Sequence, residues 1–274
     1  MNGRKAIAGL CMLCALLASA FAAQSASAIT GTTAVTCKSG LGDTGKQTWA
    51  DSHCKTGASG PFGHYKIAEN TTTELTVRAG SEASKFKATL GGVAVTFTST
   101  SLTGTGSMEN KVDDPTGEHF VHATGAIVFS GVTVSPFTKC FVYTDDGTTN
   151  PGAQGVIDTE ELTLTTREQG DAIKGTPKTG NVFARFWIGD KNKVVTGGGE
   201  CTIAGTYLLT GSTVFTPEGA TLAATHNKVT EQNTLKLGTG ETTIKAGFEG
   251  SLTIEASAKG AGAFNPISFT TYPT

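Results

Sequence analysis

Two histidines, an aspartate and a cysteine lie close together and form the grouping in this sequence most suited to chemistry. They occur in Trp49-Ala50-Asp51-Ser52-His53-Cys54 and in Phe62-Gly63-His64-Tyr65. Zinc accepts such ligands, but the compact CxxC or HxxxH spacing typical of a structural zinc site is missing. We therefore predict a disulfide-tied loop whose polar side chains satisfy nearby backbone groups, and we assign no metal ligand or cofactor.

Three neighbouring carboxylates, Asp158, Glu160 and Glu161, are the second candidate. Glycoside hydrolysis uses two acids that face each other across a sugar, and strand alternation places Asp158 and Glu160 on one face. The same spacing suits an exposed polar edge, which we favour. The chain has no G-x-S-x-G elbow, and Asp145-Asp146-Gly147 lacks the rhythm of a calcium loop. We predict a turn there and assign no catalytic residue.

Two aromatic side chains are weak candidates for a ligand platform. Phe183 and Trp187 lie two strand steps apart on the same predicted face. Such a pair could stack on sugar rings, but large aromatics in apolar strands usually build the core. We favour a buried contact between sheets for both residues.

The first 28 residues have the pattern of a secretory signal peptide. Arg4 and Lys5 precede an apolar stretch over residues 6–20, and Ala26-Ser27-Ala28 offers a small-x-small cleavage site. The stretch is shorter than the roughly 20 apolar residues of a membrane span. We therefore predict a secreted or cell-surface protein of bacterial type whose mature chain begins at Ile29, with no stable membrane span.

Cleavage would leave four cysteines, Cys37, Cys54, Cys140 and Cys201, because Cys11 and Cys14 lie in the leader. An even number in an exported chain predicts two disulfides. Four cysteines allow three pairings. The shortest loops favour Cys37 with Cys54 and Cys140 with Cys201.

The composition bounds the class of partner. Removing residues 1–28 from the 274-residue chain leaves 246 residues, enough for a substantial core. The leader carries two positive charges, so its loss moves the net charge from −2 to −4. This balance argues against nucleic acid as a partner.

Alternating apolar and polar residues predict β-strands throughout the mature chain. Val93–Thr98 alternates with period two, whereas the denser run Val182–Ile188 predicts a strand covered on both faces. We expect an all-β, antiparallel β-sandwich, either one large or two smaller ones, with essentially no helix after the leader. Residues 107–118 form either a linker between β regions 29–106 and 119–274 or a long hairpin loop.

Several short motifs resemble a group of exported bacterial all-β proteins without an assigned function. They are Trp49-x-Asp51-x-His53-Cys54, Gly63-His64-Tyr65, Glu69-Asn70-Thr71-Thr72-Thr73, Asn233-Thr234-Leu235-Lys236-Leu237 and Glu249-Gly250-Ser251-Leu252-Thr253-Ile254. The resemblance implies a secreted β protein and brings no site residue. We expect a non-enzymatic structural, adhesive or polymer-binding module with an extracellular or cell-surface polymer as partner. The alternative is a secreted hydrolase acting on polysaccharide.

Overall fold

The computed structural model shows nineteen β-strands and no helix in the part of the chain that it describes. The described residues are 31–43, 49–52, 54, 59–80, 83–146, 150–167, 172–191, 199–218, 221–224, 235–239, 242–258 and 264–271. The strands are β1 (Thr32–Ser39), β2 (Phe62–Lys66), β3 (Thr73–Ala79), β4 (Ser84–Leu90), β5 (Val93–Ser99), β6 (Ser101–Val112), β7 (His119–Ser130), β8 (Thr133–Ser135), β9 (Phe141–Thr144), β10 (Val156–Thr159), β11 (Leu162–Thr165), β12 (Ile173–Pro177), β13 (Val182–Gly189), β14 (Gly205–Thr210), β15 (Thr213–Glu218), β16 (Thr221–Ala224), β17 (Lys236–Thr239), β18 (Thr242–Ala258) and β19 (Asn265–Thr271). The predicted leader, residues 1–28, lies outside the described residues.

The strands pair antiparallel, which confirms the all-β prediction. The sheet curls so that its inner faces pack together, as in a sandwich. Residues 107–118 contain the end of β6 and the turn into β7. These two strands pair along their whole length, from Ser101 with Ser130 to Val112 with His119.

The large sheet closes on itself in two rings that share β18. The first ring runs β18, β3, β6, β7, β11, β12, β15, β16 and back to β18. The second runs β18, β4, β5, β8, β9, β13, β14, β17 and back to β18. Between them, β10 pairs with β7 on one side and with β13 on the other. Closure of this kind leaves few unpaired strand edges.

The change of ring along β18 falls at Gly250. Residues 246–249 pair with β4 and residues 250–253 with β16. Gly250 is buried with φ of 149°, and a Cβ there would lie 2.8 Å from the Cα of Ser84. Only glycine combines this backbone conformation with such close approach of another strand.

A small three-stranded sheet, β2–β1–β19, packs against the first ring through a buried amide. Asn110 on β6 is only 3% exposed. The N–H of Ala34 donates to Asn110 Oδ1, and Asn110 Nδ2 donates to the carbonyls of Ala34 and Ile67, each at 2.9 Å. The side chain therefore pairs with β1 as a neighbouring strand would.

Buried threonine hydroxyls likewise accept backbone hydrogen bonds from β7 at positions where no neighbouring strand supplies a carbonyl group. The N–H of Ile127 donates to Thr159 Oγ1 and that of Val121 to Thr166 Oγ1, each at 2.9 Å. These N–H groups lie next to the positions where β7 pairs with β10 and β11. A buried N–H without an acceptor would cost about 1–3 kcal/mol.

The two rings share one hydrophobic core. In the second ring Phe97 contacts Phe86 and Phe186, with ring centroids 5.5 Å apart in each pair, and Phe186 stacks on Tyr207 at 5.8 Å. Each ring also contains an apolar cavity of about 40 Å³. Cavities that hold small-molecule ligands usually measure roughly 300–1,000 Å³. Both cavities are far below this range, so neither is a candidate ligand site.

Replacing Gly250 with alanine should destabilise the protein by about 1–3 kcal/mol, since the new Cβ meets β4 and the backbone is strained. Urea unfolding of the chain without residues 1–28 measures this effect. Gly175→Ala is the matched control, because a Cβ there makes ordinary contacts beginning at 3.5 Å. Equal losses in both variants would contradict the special role of Gly250.

Asn110→Ala should lower the free energy of unfolding by about 2–4 kcal/mol, because three buried backbone groups lose their partner. Hydrogen exchange should show the loss of protection in β1 first. Lys111→Ala changes the next residue, whose side chain is partly exposed, and serves as the control. Unchanged protection of the Ala34 N–H in Asn110→Ala would refute the proposed link.

Candidate functional site

A polar groove of about 580 Å³ on the outer surface, lined by carboxylates, is the candidate site among the described residues. Three strands and the residues that follow two of them build it. Asp145 and Asp146 follow β9, Glu160 follows β10, and Arg185 lies within β13. The lining residues are Thr144, Asp145, Asp146, Asp158, Thr159, Glu160 and Arg185.

Strand register fixes the centre of the groove. Asp158 on β10 lies directly across from Arg185 on β13. Arg185 Nε donates to Glu160 Oε1 at 3.1 Å, and both side chains remain well exposed. Thr159, which lines the groove, is fixed to the core because its Oγ1 accepts a hydrogen bond from the N–H of Ile127. Four carboxylates and one guanidinium give the groove a net negative charge.

Asp158 has an altered acidity. Its side chain is exposed at the surface, yet the flanking strands desolvate the carboxyl group and raise its pKa. Glu160, by contrast, is held by a guanidinium. Two carboxyl groups in one groove thus have different environments, which is a common feature of binding and catalytic sites.

The structure places the three predicted carboxylates in two locations. Asp158 and Glu160 line the groove. Glu161 lies outside it and accepts a hydrogen bond from Lys178 Nζ at 2.8 Å. The predicted turn at Asp145 and Asp146 contributes two further groove carboxylates, and Gly147 lies outside the described residues.

Both disulfides have the pairing that the shortest loops favour. Cys37 is bonded to Cys54 with S–S 2.02 Å, and Cys140 to Cys201 with S–S 2.07 Å. Cys54 is therefore not available as a metal ligand. Beside it Trp49 stacks on His64 with ring centroids 4.9 Å apart, and partial burial lowers the pKa of His64.

The described residues contain no group of three or more His, Cys, Asp or Glu side chains placed to hold a metal ion. His53, the other histidine of the motif, lies outside the described residues. The disulfide accounts for Cys54, and His64 and Tyr65 lie within β2.

The aromatic pair is buried. Phe183 is 4% exposed and lines the cavity of the second ring, and Trp187 is 8% exposed. Trp187 Nε1 has no hydrogen-bond partner among the described residues. Phe183 belongs to the hydrophobic core, whereas Trp187 is buried outside that cluster.

Arg185 is the groove residue that the sequence analysis missed. It lies 25 or more residues from every groove carboxylate in the sequence, and only the β10–β13 register brings it to Asp158. An isolated charge inside the apolar run Val182–Ile188 was the available signal, because a charged residue in a central strand must face a polar region.

Comparison with known proteins gives no match. No family model, curated protein or solved structure matches the chain. Among the described residues, no helix has the length and apolar character needed to cross a membrane. The site must therefore be interpreted from its own chemistry.

The carboxyl group of Asp158 should titrate above the ordinary aspartate pKa of about 3.9 in a pH series followed by NMR. A raised pKa penalises the charged form in the folded state, so this penalty is present at neutral pH. It should disappear as the pH falls through the folded pKa. The stability deficit of the wild type relative to Asp158→Asn should shrink over that range. A deficit that is constant with pH would contradict the shift.

Proposed function

We propose that this protein is an exported, non-enzymatic binding module that holds an amine-bearing extracellular polymer in the groove around Asp158. The single observation that carries the proposal is the open groove of about 580 Å³ with four carboxylates around one arginine. Two disulfides and a predicted leader support an extracellular location. The absence of an exposed aromatic platform at Phe183 and Trp187 favours recognition by charge over stacking.

An extended polymer suits the shape and chemistry of the groove. Carboxylates bind ammonium groups with charge-assisted hydrogen bonds, and exposed pairs contribute about 0.2–1 kcal/mol each. A single contact of this strength gives weak binding, whereas a polymer with many ammonium groups can make several such contacts at once and bind more tightly. Arg185 would repel an amine, but its hydrogen bond to Glu160 partly neutralises the positive charge of the guanidinium.

A secreted polysaccharide hydrolase is the second candidate, favoured by one observation. Burial raises the pKa of Asp158, which suits that carboxyl group to donate a proton, and Glu160 lies in the same groove as a second carboxylate held by Arg185. Release of reducing ends from a panel of polysaccharides, abolished in Asp158→Asn, would establish this activity. The same panel without release would leave binding as the function of the groove.

Binding to chitosan, an amine-bearing polysaccharide, should weaken by about two- to five-fold in Asp158→Asn, since one exposed charge contact is lost. Affinity electrophoresis or calorimetry at low salt measures the change. Arg185→Gln should strengthen binding by a similar factor, because it removes the only cation among the described residues that line the groove. Under conditions where the chitosan amines are fully protonated, binding should also weaken as the pH falls further and Asp158 becomes protonated.

Glu161→Gln is the matched control, since it removes the same charge from a neighbouring residue outside the groove. Its affinity for chitosan should equal that of the wild type. Equal weakening in Asp158→Asn and Glu161→Gln would indicate non-specific attraction to the negative surface and would refute the groove as the site. Preference for an anionic polysaccharide, lost in Arg185→Gln, would reverse the proposed ligand class.

A further inference from the structure

The guanidinium of Arg185 uses only part of its hydrogen-bonding capacity. A guanidinium carries five N–H donors in one plane, arranged to bind a carboxylate through two parallel hydrogen bonds. Arg185 Nε donates to Glu160 Oε1 at 3.1 Å. The N–H groups on its two Nη atoms have no partner among the described residues, and 40% of the side chain is exposed. Arg185 can therefore bind a second carboxylate that comes from a ligand.

Asp158 lies beside this guanidinium without pairing with it. The two residues are direct partners across β10 and β13, and such partners have Cβ atoms about 4.5–5.5 Å apart. Within the described part of the chain, the Asp158 carboxyl group makes no hydrogen bond or ion pair. Desolvation raises its pKa, and no cation of the described residues offsets this effect. An ammonium group of a ligand would do so.

Glu160 holds the guanidinium on its own side of the groove. The N–H of Glu160 donates to the Phe183 carbonyl at 2.9 Å, so the backbone of Glu160 is tied to β13 two residues before Arg185. The Glu160 carboxylate then accepts from Arg185 Nε. As a result, the groove presents an unpaired acid and a partly unfilled guanidinium next to each other.

We propose that the groove recognises a zwitterionic repeat unit of a polysaccharide, which carries both an ammonium group and a carboxylate. The ammonium group binds Asp158, and the carboxylate binds the open N–H groups of Arg185. This inference rests on the proposed function, because it takes the amine-binding groove as given and adds the second charge of the ligand. Arg185 thereby acts as a residue that selects the ligand.

The positions of the two protein groups limit the distance between the two charges of the ligand. Asp158 and Arg185 project from paired strands, which lie about 4.8 Å apart. A ligand that contacts both side chains at once must carry its ammonium group and its carboxylate close together. Both charges therefore belong to one repeat unit, and successive units can repeat the contact as the polymer moves along the groove.

The lining of the groove favours a polysaccharide over a peptide. All seven lining residues are polar, being threonine, aspartate, glutamate or arginine. Peptide and protein partners are usually anchored by aromatic or aliphatic side chains in apolar pockets. The described lining offers no such pocket. Sugar hydroxyls, in contrast, both donate and accept hydrogen bonds and suit carboxylates and threonine hydroxyls.

Calorimetry with two matched oligosaccharides tests the proposal. Chitosan oligomers carry amines alone, whereas O-carboxymethyl chitosan oligomers carry the same amines with added carboxylates. The chain without residues 1–28 is titrated at low salt, at a pH at which the amines are protonated and the carboxylates ionised. The wild type should bind the carboxymethylated oligomers about two- to five-fold more tightly, since one more exposed charge contact forms. This comparison needs no variant.

Arg185→Gln should have opposite effects on the two ligands. It should weaken binding of O-carboxymethyl chitosan by about two- to five-fold, because the carboxylate loses its partner. It should strengthen binding of chitosan, because the amine no longer meets a cation. Asp158→Asn should weaken binding of both ligands, since both carry the amine.

Lys178→Gln is the matched control for charge. It removes one positive charge from a side chain outside the groove, where Lys178 Nζ donates to Glu161 Oε1 at 2.8 Å. Its affinity for both ligands should equal that of the wild type. The same opposite effects in Lys178→Gln would show that long-range charge causes them and would overturn the proposal.

The remaining outcomes separate this inference from the proposed function. Stronger binding of both ligands by Arg185→Gln, with weaker binding of both by Asp158→Asn, would refute the carboxylate contact and leave the amine-binding groove in place. Unchanged affinity for both ligands in Asp158→Asn would refute the groove itself. Carboxymethyl cellulose that binds as tightly as O-carboxymethyl chitosan would exclude the amine contact. Tighter binding of an alternating lysine–glutamate peptide would overturn polysaccharide as the ligand class.

Discussion

β18 belongs to both rings, and this sharing is the constraint on which the rest of the sheet depends. One strand of seventeen residues supplies a neighbour to β4 and β17 over its first half and to β3 and β16 over its second. The two halves lie in different curled sheets, so the chain must leave one sheet and enter the other without losing its hydrogen bonds. Gly250 makes this possible, because no Cβ separates it from Ser84.

Because the sheet closes into two rings, neighbouring strands diverge at some positions. Polar side chains accept the backbone hydrogen bonds that a strand would otherwise accept there. Asn110 does so for β1, and Thr159 and Thr166 do so for β7. These contacts explain part of the threonine content of a chain in which Thr also forms much of the exposed sheet surface. Thr159 has two roles, since it accepts a backbone hydrogen bond from β7 in the core and also lines the groove. The site is therefore attached directly to the rigid part of the fold.

The strands could be predicted from the sequence, whereas their partners could not. Period-two alternation in Val93–Thr98 predicts β5, because local sequence decides which side of a strand is buried. The pairing of β18 with β3 joins segments about 180 residues apart, and no local pattern encodes it. The groove follows the same rule. Asp158 and Glu160 could be named from their spacing, but Arg185, Asp145 and Asp146 reach them only through the register of β9, β10 and β13.

The pairing of β1 with β19 bears on how this fold responds to mechanical tension. Thr32 lies opposite Thr271, so the first residue of β1 and the last residue of β19 lie at the same end of the pair. A pull between these two residues would peel the strands apart and break their hydrogen bonds one after another, instead of shearing them all at once. Such a geometry yields at low force.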